Sequence, residues 1–301
     1  MPVSARRQVR WGQWLTIAVP YLWLLAFFLA PFLIVLKISF SQPAIAQPPY
    51  VPVWDSWQAV VDHLSSLDFG NYAFLFSDPL YVNSYLSSLR IAGISTLITL
   101  LIGYPVAYGI ARSSPNWRGT LMMLVILPFW TSFLIRVYSW IGILKTEGVL
   151  NTFLLWTGVI SEPLTLHFTV TAVYIGIVYS YLPFMILPLY ASLEKLEVSL
   201  LEAAADLGAR PMTVFWRITL PLSLPGVAAG CFLVFIPAVG EFVIPELLGG
   251  PDSLMIGRVL WNEFFANRDW PIASAVAVLL ILVLVVPIVI FQRIAKREGT
   301  G

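Results

Sequence analysis

Residues 194–221 read EKLEVSLLEAAADLGARPMTVFWRITLP and form the longest charged interval between two long apolar blocks. Ser199 and, three residues later, Glu202 match the capping-box pattern, which predicts that a helix begins at this serine. Gly208 is able to adopt the left-handed conformation that ends such a helix. The proline that follows suits the first turn of a second helix, which we expect over residues 211–219. The stretch therefore predicts two short helices joined by a bend, presented outside the apolar blocks.

The composition indicates an integral membrane protein. Of the 301 residues, 59% are hydrophobic and 11% are charged, whereas soluble domains carry about a quarter charged residues. A net charge of +1, with no basic run carrying interleaved aromatics, argues against a nucleic-acid partner. Cys231 is the only cysteine, and the two histidines, His63 and His167, match no metal-binding motif. The chain has no GxxxxGKS or GxxxxGKT phosphate loop, so it carries no Walker-type ATP site of its own.

Six apolar segments are each long enough to cross about 30 Å of hydrocarbon as a helix of about 20 residues. We expect these spans at about 15–40, 84–112, 119–144, 168–191, 222–248 and 272–293. The sequence thus predicts an all-α integral membrane protein in which residues 1–301 form a single transmembrane permease domain. Gly226 and Gly230 form a GxxxG pair in the fifth span and predict a close contact with another helix.

The distribution of positive charge predicts the orientation in the membrane. Six spans place both termini on one side, together with Arg6, Arg7, Arg10, Arg112, Arg118, Lys195, Arg210, Arg217, Arg293, Lys296 and Arg297. The opposite loops hold Lys145, Arg258 and Arg268. By the positive-inside rule we expect the termini and the 194–221 segment to be cytoplasmic.

Four ionisable side chains inside the predicted spans point to a functional site: Arg90, Arg136, Glu241 and Glu246. A charged residue costs about 2.5–3.5 kcal/mol on insertion scales unless it is paired or hydrated. The glutamates are surrounded by helix-breaking residues: Pro237, Gly240 and Pro245. We therefore expect the fifth span to be kinked or broken at this point, as helices that line a cavity often are.

Two interpretations of these charges remain open. In the first, Glu241 or Glu246 forms a structural ion pair with Arg136 or Arg90. In the second, a glutamate faces the substrate pathway and binds an ammonium group, where one weak carboxylate permits release better than a cage does. Aromatic candidates for a cation–π contact with such a substrate are Trp130, Tyr138, Trp140, Tyr181 and Phe242. We assign the Trp261–Trp270 region to an interfacial aromatic belt.

Several residues of the opening stretch resemble the EAA motif of ATP-binding-cassette (ABC) importer permeases, spacing included. They are Glu202, Ala203, Ala204, Gly208, Ile218, Leu220 and Pro221. In that family the segment is cytoplasmic, precedes the second-last span and contains the coupling helix, which sits in a groove of the ATPase subunit. The resemblance implies an ATPase-coupling role for Glu202, Ala203, Ala204, Asp206 and Gly208.

The pattern of the first predicted helix agrees with such docking. We expect its apolar side chains to face protein: Leu200, Leu201, Ala204 and Leu207. Glu202 and Asp206 stand at positions i and i+4 and are expected to be exposed. A short amphipathic helix of this kind suits a helix-in-groove contact, and an ordinary surface helix is the simpler alternative.

From about Val19 to Ile294 the chain resembles polyamine-importer permeases, particularly the putrescine type. The resemblance is carried by IGYPVAY (102–108), LPFWTSFLIRVYSW (127–140) and PAVGEFVIPELLGGPDSLMIGRVLW (237–261). It implies a type I ABC importer permease fold in the bacterial inner membrane, surrounded by lipid. It further implies a second permease subunit, two ATPase subunits that carry ATP and Mg²⁺, and a periplasmic solute-binding protein. No cofactor is expected in this chain.

The same resemblance bears on the loop that follows the fifth span. In the related permeases this region lies near the contact with the binding protein. We therefore expect Asp252 and Arg258 to face that partner, the alternative being an ordinary loop.

The sequence thus predicts a permease subunit that translocates putrescine or spermidine delivered by a periplasmic protein, with no catalysis of its own. A stand-alone secondary transporter or channel for cationic solutes is the alternative, and it requires all coupling machinery within this chain. An intramembrane enzyme requires a paired base and nucleophile or metal ligands inside the spans, and the sequence shows none.

Overall fold

The computed structural model describes residues 11–53, 58, 61 and 67–298. Arg6, Arg7, Arg10 and His63, which enter the charge and metal arguments above, lie outside these residues. The described chain is built of helices and one two-stranded hairpin, so the all-α prediction is confirmed. It divides into two compact units, one formed by Met1–Ser77 with Asn262–Gly301 and the other by Asp78–Trp261.

The first unit pairs the N-terminal and C-terminal helices. Helix α1 (Trp11–Leu24) passes through a π-helical turn (Leu25–Leu29) into α2 (Ala30–Ser39). Helix α2 packs against the C-terminal helix Trp270–Glu298, which follows another π-helical turn, Asn262–Ala266. Between α2 and the short helix α3 (Gly70–Ser77), strands β1 (Gln42–Pro43) and β2 (Tyr50–Val51) pair antiparallel.

Lys37 anchors this hairpin to the end of the first span. Its side chain is only 8% exposed, and Nζ donates to the Pro52 carbonyl oxygen at 2.5 Å. The same ammonium lies 4.2 Å from the centroid of the Tyr50 ring. A buried cation is stabilised by such contacts, and sequence reasoning assigned this lysine no role.

The second unit contains the remaining helices. In chain order they are α4 (Pro79–Arg112), α5 (Pro115–Ile126), a 3₁₀ turn (Leu127–Trp130), α6 (Phe133–Leu144), α7 (Val149–Trp156), α8 (Val170–Leu193), α9 (Val198–Asp206), α10 (Pro211–Val214), a π-helical turn (Phe215–Thr219), α11 (Leu220–Val239), α12 (Val243–Leu248), a 3₁₀ turn (Pro251–Ser253) and α13 (Ile256–Trp261). The C-terminal helix of the first unit is α14.

Helices α4, α8 and α11 pack on one another and form the core of the second unit. Small residues allow their close approach. A Cβ atom at Gly226 would lie 2.6 Å from the Ser192 Cβ, and one at Gly230 would lie 2.6 Å from the Met185 sulfur. The close helix contact predicted from the GxxxG pair is therefore confirmed, since neither position has room for a side chain.

Four helices are long and apolar enough to cross a membrane, namely Thr16–Ser39, Pro79–Arg112, Val170–Leu193 and Pro211–Val239. A fifth span results if the pair Pro115–Trp130 and Phe133–Trp156, bent by 88°, is counted as one. In α14 the described apolar part is shorter, Trp270–Val285. The limits of the six spans and the single domain over residues 1–301 stay predictions.

The bend in the third predicted span has a local cause. Thr131 and Ser132 have extended backbone between the 3₁₀ turn and α6. Pro128, inside that turn, has no N–H to donate and disfavours a continuing α-helix. Residues 119–144 therefore do not form a single straight helix.

Candidate functional site

Helix α9, the first helix of the 194–221 segment, has its N-cap two residues earlier than predicted. Glu197 has extended backbone and occupies the N-cap, and the helix begins at Val198. Ser199 thus lies within the first turn, where its hydroxyl donates to the Glu197 carboxylate at 3.4 Å. The capping box with Glu202 is wrong, because that motif needs the serine at the N-cap itself.

The bend after α9 forms as the glycine predicts. Gly208 has φ = +76°, in the left-handed region that favours glycine because the residue has no Cβ. The Ala209 N–H donates to the Ala204 carbonyl at 3.0 Å and the Gly208 N–H to the Ala205 carbonyl at 2.8 Å. These two hydrogen bonds satisfy carbonyls that the end of a helix otherwise leaves unpaired.

The second helix of the segment does not end where predicted. Arg210 is its N-cap and Pro211 its first residue, as expected of a proline at this position. Residues Phe215–Thr219 then form a π-helical turn that runs directly into α11. The predicted end near Thr219 is wrong, because the wider turn admits Pro221 without breaking the helix.

The EAA-motif residues present a partly apolar surface. Ala204 is buried and Leu201 half-buried, whereas Glu202, Ala203 and Asp206 are exposed. Leu200 is 46% and Leu207 88% exposed, so these two leucines do not pack within this chain. Exposed leucines beside carboxylates are typical of a surface that docks another protein.

An ion pair connects the 194–221 segment to the turn between α4 and α5. Arg118 Nη1 lies 3.5 Å from the Glu194 carboxylate, and its Nε donates to the Ser113 carbonyl at 3.0 Å. Glu194 is the C-cap of α8, so this contact holds the start of the segment against a second loop on the same side.

The fifth predicted span is broken where its proline and glycine content predicts. Helix α11 ends at Val239, and α12 begins at Val243. Glu241 lies in the break and is only 8% exposed. Its Oε1 accepts from the backbone N–H groups of Val243 at 3.0 Å and Ile244 at 3.4 Å. The carboxylate thus satisfies donors at the start of α12, where negative charge is favoured.

The second oxygen of this carboxylate meets a tyrosine of another helix. The Tyr181 hydroxyl of α8 donates to Glu241 Oε2 at 2.5 Å. Among the residues that the structure describes, no cation pairs with Glu241. The first of the two interpretations, an ion pair of this glutamate with Arg136 or Arg90, is therefore wrong, since hydrogen-bond donors take the place of a cation.

Both arginines of the proposed pairs have other surroundings. The Arg136 guanidinium carbon lies 4.8 Å from the centroid of Phe129 and 5.8 Å from that of Phe133. Its Nε and Nη1 are buried and have no hydrogen-bond partner in the described part of the chain. Arg90 is exposed.

The second glutamate, Glu246, pairs with Arg258, which the sequence analysis expected to face a binding protein. Arg258 Nε lies 2.5 Å from Glu246 Oε2. Its N–H bond does not point at the carboxylate, so the contact is an ion pair rather than an aligned hydrogen bond. The interpretation in which Glu246 pairs with Arg136 or Arg90 is thus also wrong. Asp252, the other residue expected to face a binding protein, is exposed.

The structure brings one of the predicted pathway aromatics to Glu241, namely Tyr181. Trp130 and Tyr138 are 73% and 58% exposed, and Trp140 packs edge-on against Tyr179 at 5.3 Å.

Sequence reasoning missed an aromatic pair beside Glu241. The Trp261 ring stacks on the ring of Phe242, the residue after Glu241, with centroids 4.5 Å apart and planes at 10°. The assignment of Trp261 to an interfacial belt did not predict this contact.

A glycine holds α13 close to the helix break. A Cβ atom on Gly257 would clash with the Gly240 carbonyl oxygen and lie 2.7 Å from that of Glu241. The preceding residue of α13, Ile256, donates its backbone N–H to the buried Ser88 hydroxyl of α4 at 2.8 Å. Gly257 is a position where only the lack of a side chain permits the backbones to meet, and no local sequence pattern marks it.

The chain has the fold of ABC importer permeases. It is similar to a subunit of a bacterial ABC transporter that imports the acidic polysaccharide alginate, with a TM-score of 0.70 and 18% identity, covering 95% of this chain and 96% of that one. It is also similar to the MetNI methionine ABC transporter, with a TM-score of 0.55 and 19% identity, covering 72% of this chain and 95% of that one. The predicted permease fold is confirmed.

Residues 99–298 match the family described as "Binding-protein-dependent transport system inner membrane component", and the chain belongs to that family. The Haemophilus influenzae spermidine/putrescine transport system permease protein PotB is 42% identical over 284 residues, which is 94% of each chain. PotB of Escherichia coli K12 is 46% identical over 226 residues, covering 75% of this chain and 82% of that protein. The prediction of an inner-membrane transport subunit rather than an enzyme is confirmed by the family.

Proposed function

We propose that the chain is a membrane-spanning subunit of an ATP-driven importer of polyamines of the spermidine and putrescine class. The observation that carries this proposal is 42% identity to a spermidine/putrescine permease protein over 94% of both chains. A likeness that covers both chains almost completely includes the pathway-lining segments as well as the coupling segment. The solved structures at 18–19% identity support only the fold.

The proposed assembly has the partners that the sequence implies. A second permease completes the pathway, two ATPase subunits bind ATP and Mg²⁺, and a periplasmic protein delivers the substrate. This chain supplies no phosphate-binding loop, so ATP and Mg²⁺ belong to the partner subunits. We place both termini and the 194–221 segment in the cytoplasm by the positive-inside rule, and Asp252 and Arg258 toward the periplasmic protein.

The proposed coupling surface is α9 with the bend that follows it. Its residues are Glu202, Ala203, Ala204, Asp206 and Gly208. Exposed carboxylates on one helix and the exposed leucines beside them support a contact that combines charge steering with apolar burial. The pair of Arg118 and Glu194 joins the end of α8, just before this surface, to the first turn of α5.

The proposed substrate site is centred on Glu241. Its carboxylate is buried and held by hydrogen bonds instead of a cation, so an incoming ammonium group meets an uncompensated negative charge. Tyr181 is in contact with this group, and Trp130, Tyr138 and Trp140 are proposed to line the pathway. Glu246 is the weaker candidate, because Arg258 already lies against it.

An uptake assay on the complete importer tests this function. The chain is reconstituted with its partner subunits in proteoliposomes, and ATP-dependent uptake of radiolabelled spermidine and putrescine is measured. Unlabelled putrescine should compete for uptake, whereas 1,4-butanediol, which has the same four-carbon chain but no charge, should not. Failure to take up either polyamine, or equal competition by the diol, would contradict the proposal.

A further inference from the structure

The π-helical turn Phe215–Thr219 joins the proposed coupling segment to α11. The backbone N–H of Leu220 donates to the Phe215 carbonyl and closes this wide turn. Single π-helical turns are rare and are found mostly at functional sites. The next residue, Pro221, has no N–H, so the backbone supplies fewer hydrogen bonds here than in an ordinary helix. The turn therefore relies on contacts from other helices.

Tyr104 of α4 contacts the turn and α11 at the same time. Its ring packs edge-on against the ring of Phe215, the first residue of the turn, with centroids 5.5 Å apart. Its hydroxyl lies 2.8 Å from the hydroxyl of Ser223, near the start of α11. Tyr104 and Ser223 are both buried, so water does not replace this hydrogen bond. One side chain of α4 thus bridges the two ends of the turn.

The direction of the hydrogen bonds follows from the serine. The Ser223 hydroxyl donates to the Leu220 carbonyl at 3.0 Å. A serine hydroxyl has a single proton, so the Tyr104 hydroxyl is the donor in its contact with Ser223. Leu220 also supplies the N–H that closes the turn. A chain of hydrogen bonds therefore leads from Tyr104 through Ser223 to the residue that closes the turn.

Phe215 also lies next to the proposed coupling surface. It lines a cavity of about 550 Å³ together with Leu201 and Ala205 of α9. The ring of the same phenylalanine packs against Tyr104. Tyr104 is therefore in contact with a residue that borders both α4 and α9.

We propose that Tyr104 is a positioning residue that locks the turn, so that the coupling segment and α11 move as one body when the importer hydrolyses ATP. The inference rests on the proposed function, in which α9 contacts the ATPase. Without the Tyr104 hydroxyl, the turn is free to change its hydrogen-bond register, since π-helical and α-helical bonding differ by one residue. A displacement of the coupling segment is then absorbed in the turn and does not reach α11. ATP hydrolysis continues, and less substrate is transported for each ATP.

The ratio of uptake to ATP hydrolysis tests this role. The importer with its partner subunits is reconstituted in proteoliposomes, and both the uptake of radiolabelled putrescine and the release of phosphate from ATP are measured. Tyr104→Phe keeps the ring and removes the hydroxyl. We expect the uptake per ATP to fall about fivefold, because the loss of one buried hydrogen bond shifts an equilibrium by about this factor, while hydrolysis itself is maintained. Ser223→Ala removes the acceptor of the same hydrogen bond and should lower the ratio to a similar extent.

Tyr108→Phe is the matched control. Tyr108 lies one turn further along α4, and its hydroxyl is not part of the hydrogen bonds that connect Tyr104, Ser223 and Leu220. The ratio in this variant should equal that of the unaltered importer. An unchanged ratio in Tyr104→Phe and Ser223→Ala would overturn the proposal. A proportional loss of both rates, with a lower yield of assembled importer, would overturn it as well, because a purely structural role has that effect.

Amide hydrogen exchange in the assembled importer tests the lock without any substrate. We expect the amides of residues 215–220 to exchange about fivefold faster in Tyr104→Phe than in the unaltered protein or in Tyr108→Phe. Equal exchange in all three proteins would overturn the proposal. If the unaltered importer took up neither putrescine nor spermidine, the proposed function would fail, and the exchange rates would still decide whether Tyr104 locks the turn.

Discussion

Glu241 shows how a buried carboxylate is held in this protein without an arginine. One oxygen accepts from the first N–H groups of α12 and the other from the Tyr181 hydroxyl. These donors come from α8 and from the start of α12, so two helices fix the position of the carboxylate.

Glu241→Gln separates charge from shape at this position. The amide oxygen can still accept hydrogen bonds, so we expect normal assembly and yield of the importer. Loss of the negative charge should reduce polyamine uptake about tenfold or more, mainly through a higher KM. Uptake kinetics in proteoliposomes measure the effect, and subunit stoichiometry after purification checks assembly.

Tyr181→Phe serves as the companion variant. It removes one donor and leaves the carboxylate with its helix donors, so we expect a smaller loss than in Glu241→Gln. If Glu241→Gln prevented assembly while Tyr181→Phe did not affect uptake, the carboxylate would have only a structural role.

At the scale of elements, the 194–221 segment is one helix, a glycine bend and the beginning of the next span. Because the π-helical turn Phe215–Thr219 leads straight into α11, a continuous helix runs from Pro211, just after the bend, to Val239, close to Glu241. The proposed coupling surface and the proposed substrate site therefore adjoin opposite ends of the same helix.

Glu202→Lys tests the docking role of α9. The side chain is exposed, so the substitution should leave folding intact while it reverses the charge offered to the ATPase. We expect co-purification of the ATPase to weaken and uptake to fall about tenfold. Glu162→Lys is the matched control, because Glu162 is also exposed and lies on the loop predicted to be outside. ATPase recovery equal to that of the control would argue against docking through Glu202.

At the scale of the whole molecule, the chain provides helices long enough to cross a membrane and a proposed docking surface, and its sequence contains no GxxxxGKS or GxxxxGKT loop. A permease of this family has to receive its energy from a partner. A stand-alone secondary transporter, the alternative, needs no ATPase, because an ion gradient alone then drives uptake.

The source of energy distinguishes these two classes. We expect uptake by the reconstituted importer to require hydrolysable ATP and to stop when a non-hydrolysable analogue replaces it. An imposed proton or sodium gradient in ATP-free vesicles should give no accumulation. Vesicles that contain this chain alone are the control, and accumulation in them would contradict the ABC importer assignment.

The sequence predicted the features that depend on neighbouring residues. Gly208 ends α9, Pro211 begins the next helix, and the fifth span breaks near Gly240, because backbone propensity acts over a few positions. Ser199 failed as a cap because the N-cap is Glu197, two residues earlier, and such a shift moves a side chain out of the capping position. The π-helical turn before Pro221 also has no reliable sequence pattern.

Hydropathy and helix-breaking residues thus predicted by themselves an integral membrane protein with an exposed segment between two apolar blocks, and the resemblance of that segment to the EAA motif indicated the permease class. Only the tertiary structure decided that Glu241 meets Tyr181, 60 residues away, that Glu246 pairs with Arg258 and that Gly257 touches the helix break. Each of these contacts depends on which helix faces meet. Several pairings of the same charges were compatible with the sequence, and packing of the helices selected one of them.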